Sequence, residues 1–267
     1  MMHQTDDVAA VEPPPDETPG LLGRADPAAV DCVCEDSTAP ILLLCEHAGQ
    51  AVPSSLMTLG LSKEIFDLHI GWDIGAEALA RSVADHLQAP LILQRYSRLV
   101  MDCNRPPGVA TSIPEISDGV PVPGNLGLSD AEKTARKTGI FDPMNAAIND
   151  AFAAHPRRSC YSIHSFTPHL SGRARIWDAG FLSRRDLETA GQLMTAVARQ
   201  APHLQMALNE PYQIDDTSDW FIPAHAEPRG LRHCLIEIRN DHLRDEDGIA
   251  TWARWLAAAI EEREALP

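Results

Sequence analysis

The sequence predicts a single three-layer α/β/α domain, and three observations predict it. Short apolar runs recur along the chain, at Ile41–Cys45, Leu91–Leu93 and within His233–Ile238, with Cys160-Tyr-Ser-Ile163 broken only by one serine. Such runs mark strands covered on both faces, because a strand with one wet face alternates apolar and polar residues. Helical periodicity separates the runs at the spacing of a βαβ unit. The length of 267 residues, with 44% hydrophobic residues, is enough for one large core.

Residues 1–39 form a separate compositional block. Glu12-Pro-Pro-Pro-Asp-Glu-Thr-Pro-Gly20 cannot hold a regular element, since proline lacks the backbone donor and fixes φ, so an extended acidic segment is expected there. The folded domain is expected over 40–267. Ile41–Cys45 is its first strand. Ser62 is expected to cap a helix whose apolar positions run through Leu79, Val83 and Leu87. Pro90–Leu93 reads as a second strand and Arg98–Asp102 as a third. The Pro- and Gly-containing stretch 103–128 is expected to loop over the mouth of the sheet. Ser129-Asp-Ala-Glu132 has capping-box spacing, and a further helix is expected over Pro143–Ala154. The strand Cys160–Ile163 ends at His164, and Ile176-Trp177 reads as a short strand. Asp186–Ala201 is an amphipathic helix, and His233–Ile238 a last apolar strand. The helix Gly248–Glu262 turns Trp252, Trp255 and Leu256 inward.

Composition narrows the function. With 22 basic against 38 acidic residues the formal net charge is −16, which repels phosphate backbones and anionic lipid surfaces. No nucleic-acid or membrane partner is therefore expected. No apolar run approaches the roughly 18 residues needed to span a bilayer. Residues 1–20 carry neither a basic n-region nor an apolar h-region, and six scattered cysteines do not form a disulfide framework. Reduced, mostly buried thiols in the cytoplasm are the expectation.

The informative feature is positional. Ionisable residues stand at the C-terminal ends of several predicted buried strands: Glu46 and His47, Asp102–Arg105, His164 and Ser165, Glu237 and Arg239. In open α/β sheets that edge is where ligands bind. One histidine after a strand is ordinarily a structural residue, but four clusters at equivalent ends are costly to retain for stability alone.

The segments Cys45-Glu-His-Ala-Gly49, Trp72-Asp-Ile-Gly-Ala76, Ser97-Arg-Leu-Val-Met-Asp-Cys-Asn-Arg-Pro106, Ser162-Ile-His-Ser165 and Glu237-Ile-Arg-Asn240 together resemble the N-formylglutamate amidohydrolase family. That family is in turn similar to zinc carboxypeptidases and aspartoacylases, which implies a central mixed, largely parallel sheet. The resemblance implies one Zn2+, with His47 and His164 as ligands, and Glu237 as general base. It also implies that Asn104 and Arg105 clamp a substrate carboxylate, with Arg239 as a further binding residue, and that Arg98 stabilises the oxyanion. Gln50 stands where a His-x-x-Glu pattern would place a ligand, and a neutral amide is a poor one. Asp73 and Glu46 are the two possible replacements. Asp73 is preferred, because adjacent residues tend to point in opposite directions. A catalytic zinc keeps three protein ligands and an open position for water.

The implied activity is hydrolysis of a small anionic N-acyl amino acid, N-formylglutamate or a close analogue. A deacylase or carboxypeptidase-like activity on another acyl group, or a metal-free binding module, are the alternatives. For Arg98 and Arg105 a plain ion pair with Asp102 or another acid competes with the functional reading. Ser54 and Ser55 lack the G-x-S-x-G elbow, Cys45 reads as core, and Gly119–Gly127 lacks phosphate-loop spacing. His169, His225 and His242 are expected in loops or at the surface. Trp220 and Phe221, beside Asp219, fit either a pocket wall or plain packing.

Overall fold

The computed structural model describes residues 20–266, so the expectation for the first nineteen residues lies outside the described part. In chain order the elements are β1 (Val30–Val33), β2 (Ile41–Cys45), α1 (Ala76–Leu87), β3 (Leu91–Gln94), β4 (Ile116–Ser117), β5 (Val120–Pro121), α2 (Asp130–Arg136) and α3 (Asp142–Ala154). They continue with β6 (Ser159–Phe166), β7 (His169–Leu170), β8 (Arg173–Ala174), β9 (Ala179–Leu182), α4 (Leu187–Gln200), β10 (Met206–Leu208), β11 (Arg232–Arg239) and α5 (Glu246–Ala265).

The central sheet has seven strands in the order β1-β3-β2-β6-β11-β9-β10. Its middle four, β3, β2, β6 and β11, run parallel, while β1 and β9 join antiparallel to their neighbours β3 and β11. The expected mixed, largely parallel α/β sheet is what forms. The apolar runs alternate between two cores. Leu43 and Cys45 face the layer of α1, α4 and α5, with Ile163, Ile236 and Trp252. Leu42 and Leu44 face the other side, with Met144 and Ile148 of α3. Burial on both faces is why these strands contain no polar alternation. No helix of the described residues is long and apolar enough to cross a membrane.

Four local expectations are corrected. Strand β1 falls in the block expected to be extended, so the sheet begins before Pro40; its half-buried Val-Asp-Cys-Val carries no strong apolar run. Ser62 does not start the long helix. Lys63–Asp67 is a short 3-10 turn, and α1 begins only at Ala76, after Gly75 at φ +81°. Arg98–Asp102 is not a strand, although Leu99, Val100 and Met101 are buried. Ser97 Oγ donates to Gly71 O and accepts from the Leu99 N–H, turning the chain there. An apolar run distinguishes a buried loop from a buried strand only when its backbone partners are known. Ile176 is exposed, and the strand in that region is Ala179–Leu182. The capping box at Ser129 forms, and α2 passes into α3 through a π turn at Lys137–Phe141.

Gly180 in β9 is the register partner of Glu237 in β11. A Cβ at Gly180 would collide with the carbonyl oxygen of Glu210, so glycine is what lets the 210–219 loop lie on the sheet beside Glu237. Gly180→Ala is expected to destabilise by about 1–3 kcal/mol through this overpacking. Each kcal/mol lowers Tm by about 2–4 °C in a chain of this size, which thermal melting reads directly.

Candidate functional site

The parallel strands β2 and β6 lie side by side with Leu44 opposite Ser162, so the residues that follow β2 come beside the last residues of β6 at the C-terminal edge of the sheet. His47 follows β2, His164 lies near the end of β6, and Asp73 precedes α1. The Asp73 N–H donates to the His47 carbonyl at 2.9 Å, which locks the loop before α1 onto the end of β2. All three side chains are buried. One ligand atom from each of His47, Asp73 and His164 can be chosen so that all three lie within 4.8 Å of one another.

Each imidazole has a carboxylate behind it. His47 Nε2 lies 2.8 Å from Asp102 Oδ1, while its Nδ1 is buried without a hydrogen-bond partner, 3.4 Å from Asp73 Oδ2. His164 Nδ1 lies 2.9 Å from the same Asp73 oxygen, and its Nε2 lies 3.1 Å from Glu46 Oε2. Glu46 is held in turn by the Ser162 hydroxyl, which donates to Oε2. Burial opposes ionisation of Asp73, yet the neighbouring His47 and His164 hold its carboxyl well below the usual range. Burial likewise opposes the His164 cation, and Glu46 and Asp73 outweigh it, raising the imidazole well above its ordinary value. The donor set of two imidazole nitrogens and one carboxylate fits a divalent ion of borderline softness such as zinc. An ion among them would satisfy the orphaned His47 Nδ1, and the carboxylates behind both Nε2 atoms would orient the rings.

Gln50 plays no part in this cluster, since its amide nitrogen donates to Phe66 O and Asp67 Oδ1. Of the two replacements weighed, the geometry brings Asp73 to the histidines as a shared partner. Glu46 sits behind His164.

The cluster forms the floor of a cavity of about 260 Å³, whose wall includes Arg98, Asn104, Arg105, Tyr212, Asp219 and Glu237. Glu237 Oε2 is buried with no hydrogen-bond partner, and burial pushes its carboxyl up to about 8, against the opposing charges of His164, Arg98 and Arg175. Arg98 does make the ion pair considered from sequence: Nε and Nη2 donate to Asp102 Oδ2 at 3.1 and 2.7 Å. Its Nη1 remains on the cavity side, 3.4 Å from Asp73 Oδ1. Asp102 therefore joins His47 to Arg98; burial opposes its ionisation, and the Arg98 guanidinium above all, with His47 and Arg105 beside it, holds the carboxyl well below the usual carboxylate range.

Asn104 and Arg105 line the cavity but also hold a loop. Asn104 Nδ2 donates to Asp219 Oδ1 at 3.1 Å and its Oδ1 accepts from the Trp220 N–H. Arg105 Nη1 donates to the Ser218 carbonyl. The expected clamp thus ties the 102–106 loop to the 215–220 loop, leaving the rest of the Arg105 guanidinium toward the cavity.

Arg239 is not brought to the site. It pairs with Asp178 at 2.9 Å and Asp241 at 2.8 Å and donates to Trp177 O, so it is removed from the candidate set. His225, expected in a loop or at the surface, is buried; its Nε2 lies 2.8 Å from Asn145 Oδ1, and burial lowers it to about 4. Phe221 packs in the core. Tyr212 was not legible as a site residue, because its 210–219 loop carries no strand or helix pattern and reaches the cavity only through the tertiary fold.

The sequence profile of the N-formylglutamate amidohydrolase family matches residues 39–243. The crystal structure of gene product Atu2144 from Agrobacterium tumefaciens is similar at 34% identity and a TM-score of 0.86, over 92% of this chain and 98% of that one. N-formylglutamate amidohydrolase from Ralstonia eutropha JMP134 shares the fold at 19% identity and a TM-score of 0.61, over 90% of this chain and 100% of that one. Among curated protein sequences nothing matches. The motifs' resemblance and the profile agree, and the chain belongs to the N-formylglutamate amidohydrolase family, a family of amide-hydrolysing enzymes.

Proposed function

We propose that the protein is a metal-dependent hydrolase of a small N-acyl amino acid, with N-formylglutamate or a close analogue as substrate and formate and glutamate, or their analogues, as products. The observation that supports this most is the pair of carboxylate-backed imidazoles around Asp73, next to a buried carboxyl with an unpartnered oxygen. His47, Asp73 and His164 would hold the ion. When bound, a zinc ion supplies Lewis acidity, lowering the pKa of a water toward about 7 and polarising an acyl oxygen.

The chain's own residues divide the remaining work. Glu237 takes the proton of the attacking water and delivers it to the amide nitrogen as the C–N bond breaks, so water's oxygen ends on the acyl group and its protons on the products. Burial suits Glu237 to the second half of this exchange. A carboxyl that burial pushes up to about 8 holds a proton more readily than an exposed one, which suits it to deliver that proton to the leaving nitrogen. Arg98, fixed by Asp102, offers Nη1 to the oxygen that gains charge in the transition state. Arg105 offers a guanidinium to the substrate carboxylate, a planar match that lysine lacks.

The test is metal content of protein purified without chelator, together with hydrolysis rates for N-formyl, N-acetyl and peptide substrates. Stoichiometric zinc with N-formyl preference supports the reading. Preference for another acyl group moves the substrate, and no divalent ion even after add-back removes the metal mechanism.

A further inference from the structure

Arg175 follows β8 in the small β7–β8 hairpin, where its own N–H donates to Pro168 O at 2.8 Å at the open end of the ladder. Its guanidinium carbon lies 4.8 Å from the centroid of the Tyr212 ring and 5.6 Å from that of Phe166, the last residue of β6. Nη1 donates to the Tyr212 hydroxyl at 2.8 Å. Stacking on rings fixes the plane of a guanidinium and leaves its edge of N–H donors open. Tyr212, which accepts from Arg175, keeps its own proton to donate, and it lines the catalytic cavity.

The partners of the arginines near the cavity differ. The chain has 38 acidic residues against 22 basic ones. Arg98 is neutralised by Asp102, but among the described residues neither Arg105 nor Arg175 makes a carboxylate ion pair. Two buried arginines without a carboxylate, Arg136 and Arg157, give donors to backbone carbonyls, whereas the hydrogen bond of Arg175 goes to a residue of the cavity wall. Of the two unpaired arginines at the site, Arg105 lines the cavity and Arg175 is hydrogen-bonded to Tyr212 of its wall, and a substrate with a single carboxylate engages only one of them.

We propose that Arg175, oriented by Tyr212, is a specificity residue that binds the side-chain carboxylate of the substrate's amino-acid part. This rests on the amide-hydrolase reading above and deepens it: Arg105 takes one carboxylate, the Arg175–Tyr212 pair the other. The position of Gly180 supports the pair's placement, since it lets the Tyr212 loop lie directly beside Glu237.

The experiment compares two ligands that differ only at that end, L-glutamate and L-glutamine, by calorimetric titration, and N-formylglutamate against N-formylglutamine as substrates. Wild type is expected to prefer the dicarboxylates. Arg175→Gln is expected to weaken glutamate binding and raise KM for N-formylglutamate about 10–100-fold, the usual effect of losing a charge-assisted pair. Glutamine binding and kcat should stay within about two- to threefold. Tyr212→Phe keeps the ring stack and loses the donor, so it should shift the same preference by a smaller factor, and Arg175→Lys should restore part of it. Equal losses for both ligands would indicate a structural role and overturn the proposal, as would unchanged glutamate binding in Arg175→Gln or no wild-type preference. If wild type hydrolyses no N-formyl substrate while glutamate binding still depends on Arg175, the amide reading fails and the subsite stands.

Discussion

Glu237→Gln is expected to keep the metal and lower turnover by about two to four orders of magnitude, the usual contribution of a general base. Its amide has the shape of the carboxyl but no capacity to take a proton from water. KM should change little, because a group acting mainly in the transition state contributes little to ground-state binding. The competing structural explanation, a salt bridge from Glu237 to Arg239, is removed by the fold, since Arg239 is engaged by Asp178 and Asp241. The substitution should therefore not destabilise. In the metal-free protein it should stabilise, with a pH signature. Burial pushes the folded carboxyl up to about 8 from its ordinary 4.5, so between those pH values the folded state keeps a proton that the unfolded chain releases. Wild-type stability then falls as pH rises through that window, and the glutamine variant lacks the loss. Tm measured on both metal-free proteins at pH 5 and pH 8 should show the variant's advantage growing with pH. Near-normal turnover with bound metal would take Glu237 out of the mechanism.

His47→Ala and His164→Ala are each expected to abolish stoichiometric metal binding, because two remaining protein ligands do not hold a zinc ion against solvent. Elemental analysis after dialysis reads this, and a full equivalent of zinc in either variant would refute the ligand assignment. Asp73→Asn should weaken binding while leaving both imidazoles in place. Asp102→Asn tests the group behind His47. It touches no ion, yet loss of its charge should lower metal affinity about 10–100-fold, the range found for carboxylates that orient a ligating histidine. Removing Asp102 also frees Arg98, so turnover should fall further than metal occupancy does. A variant with unchanged affinity would make Asp102 a partner of Arg98 alone.

The parallel centre of the sheet was legible in the sequence because burial on both faces leaves a local signature. Ile41–Cys45 and Cys160–Ile163 read as strands for that reason, and His47 and His164 could be placed at their ends by counting along the chain. Family resemblance supplied the roles proposed for them, along with that proposed for Glu237. Where the signal was burial alone, it misled: Leu99–Met101 is as apolar and as buried as a strand, yet forms a turn fixed by the Ser97 hydroxyl.

The third partner of the histidines was not settled by spacing. Gln50 broke the expected pattern, and the choice between Glu46 and Asp73 depended on which carboxylate reaches both rings, 26 residues of chain apart from one and 91 from the other. Arg239 shows the converse. It lies two residues from Glu237 on one strand, so sequence placed both in the site, but Asp178 and Asp241 draw its side chain away. Tyr212 and Asp219 come from a loop without periodicity, and they meet the cavity because Gly180 admits that loop and Asn104 ties it down. Local sequence determines which segments must be buried, since burial follows from residue type and period. Which charged groups finally face one another is a matter of long-range pairing in a low-dielectric edge, and only the tertiary structure decides that.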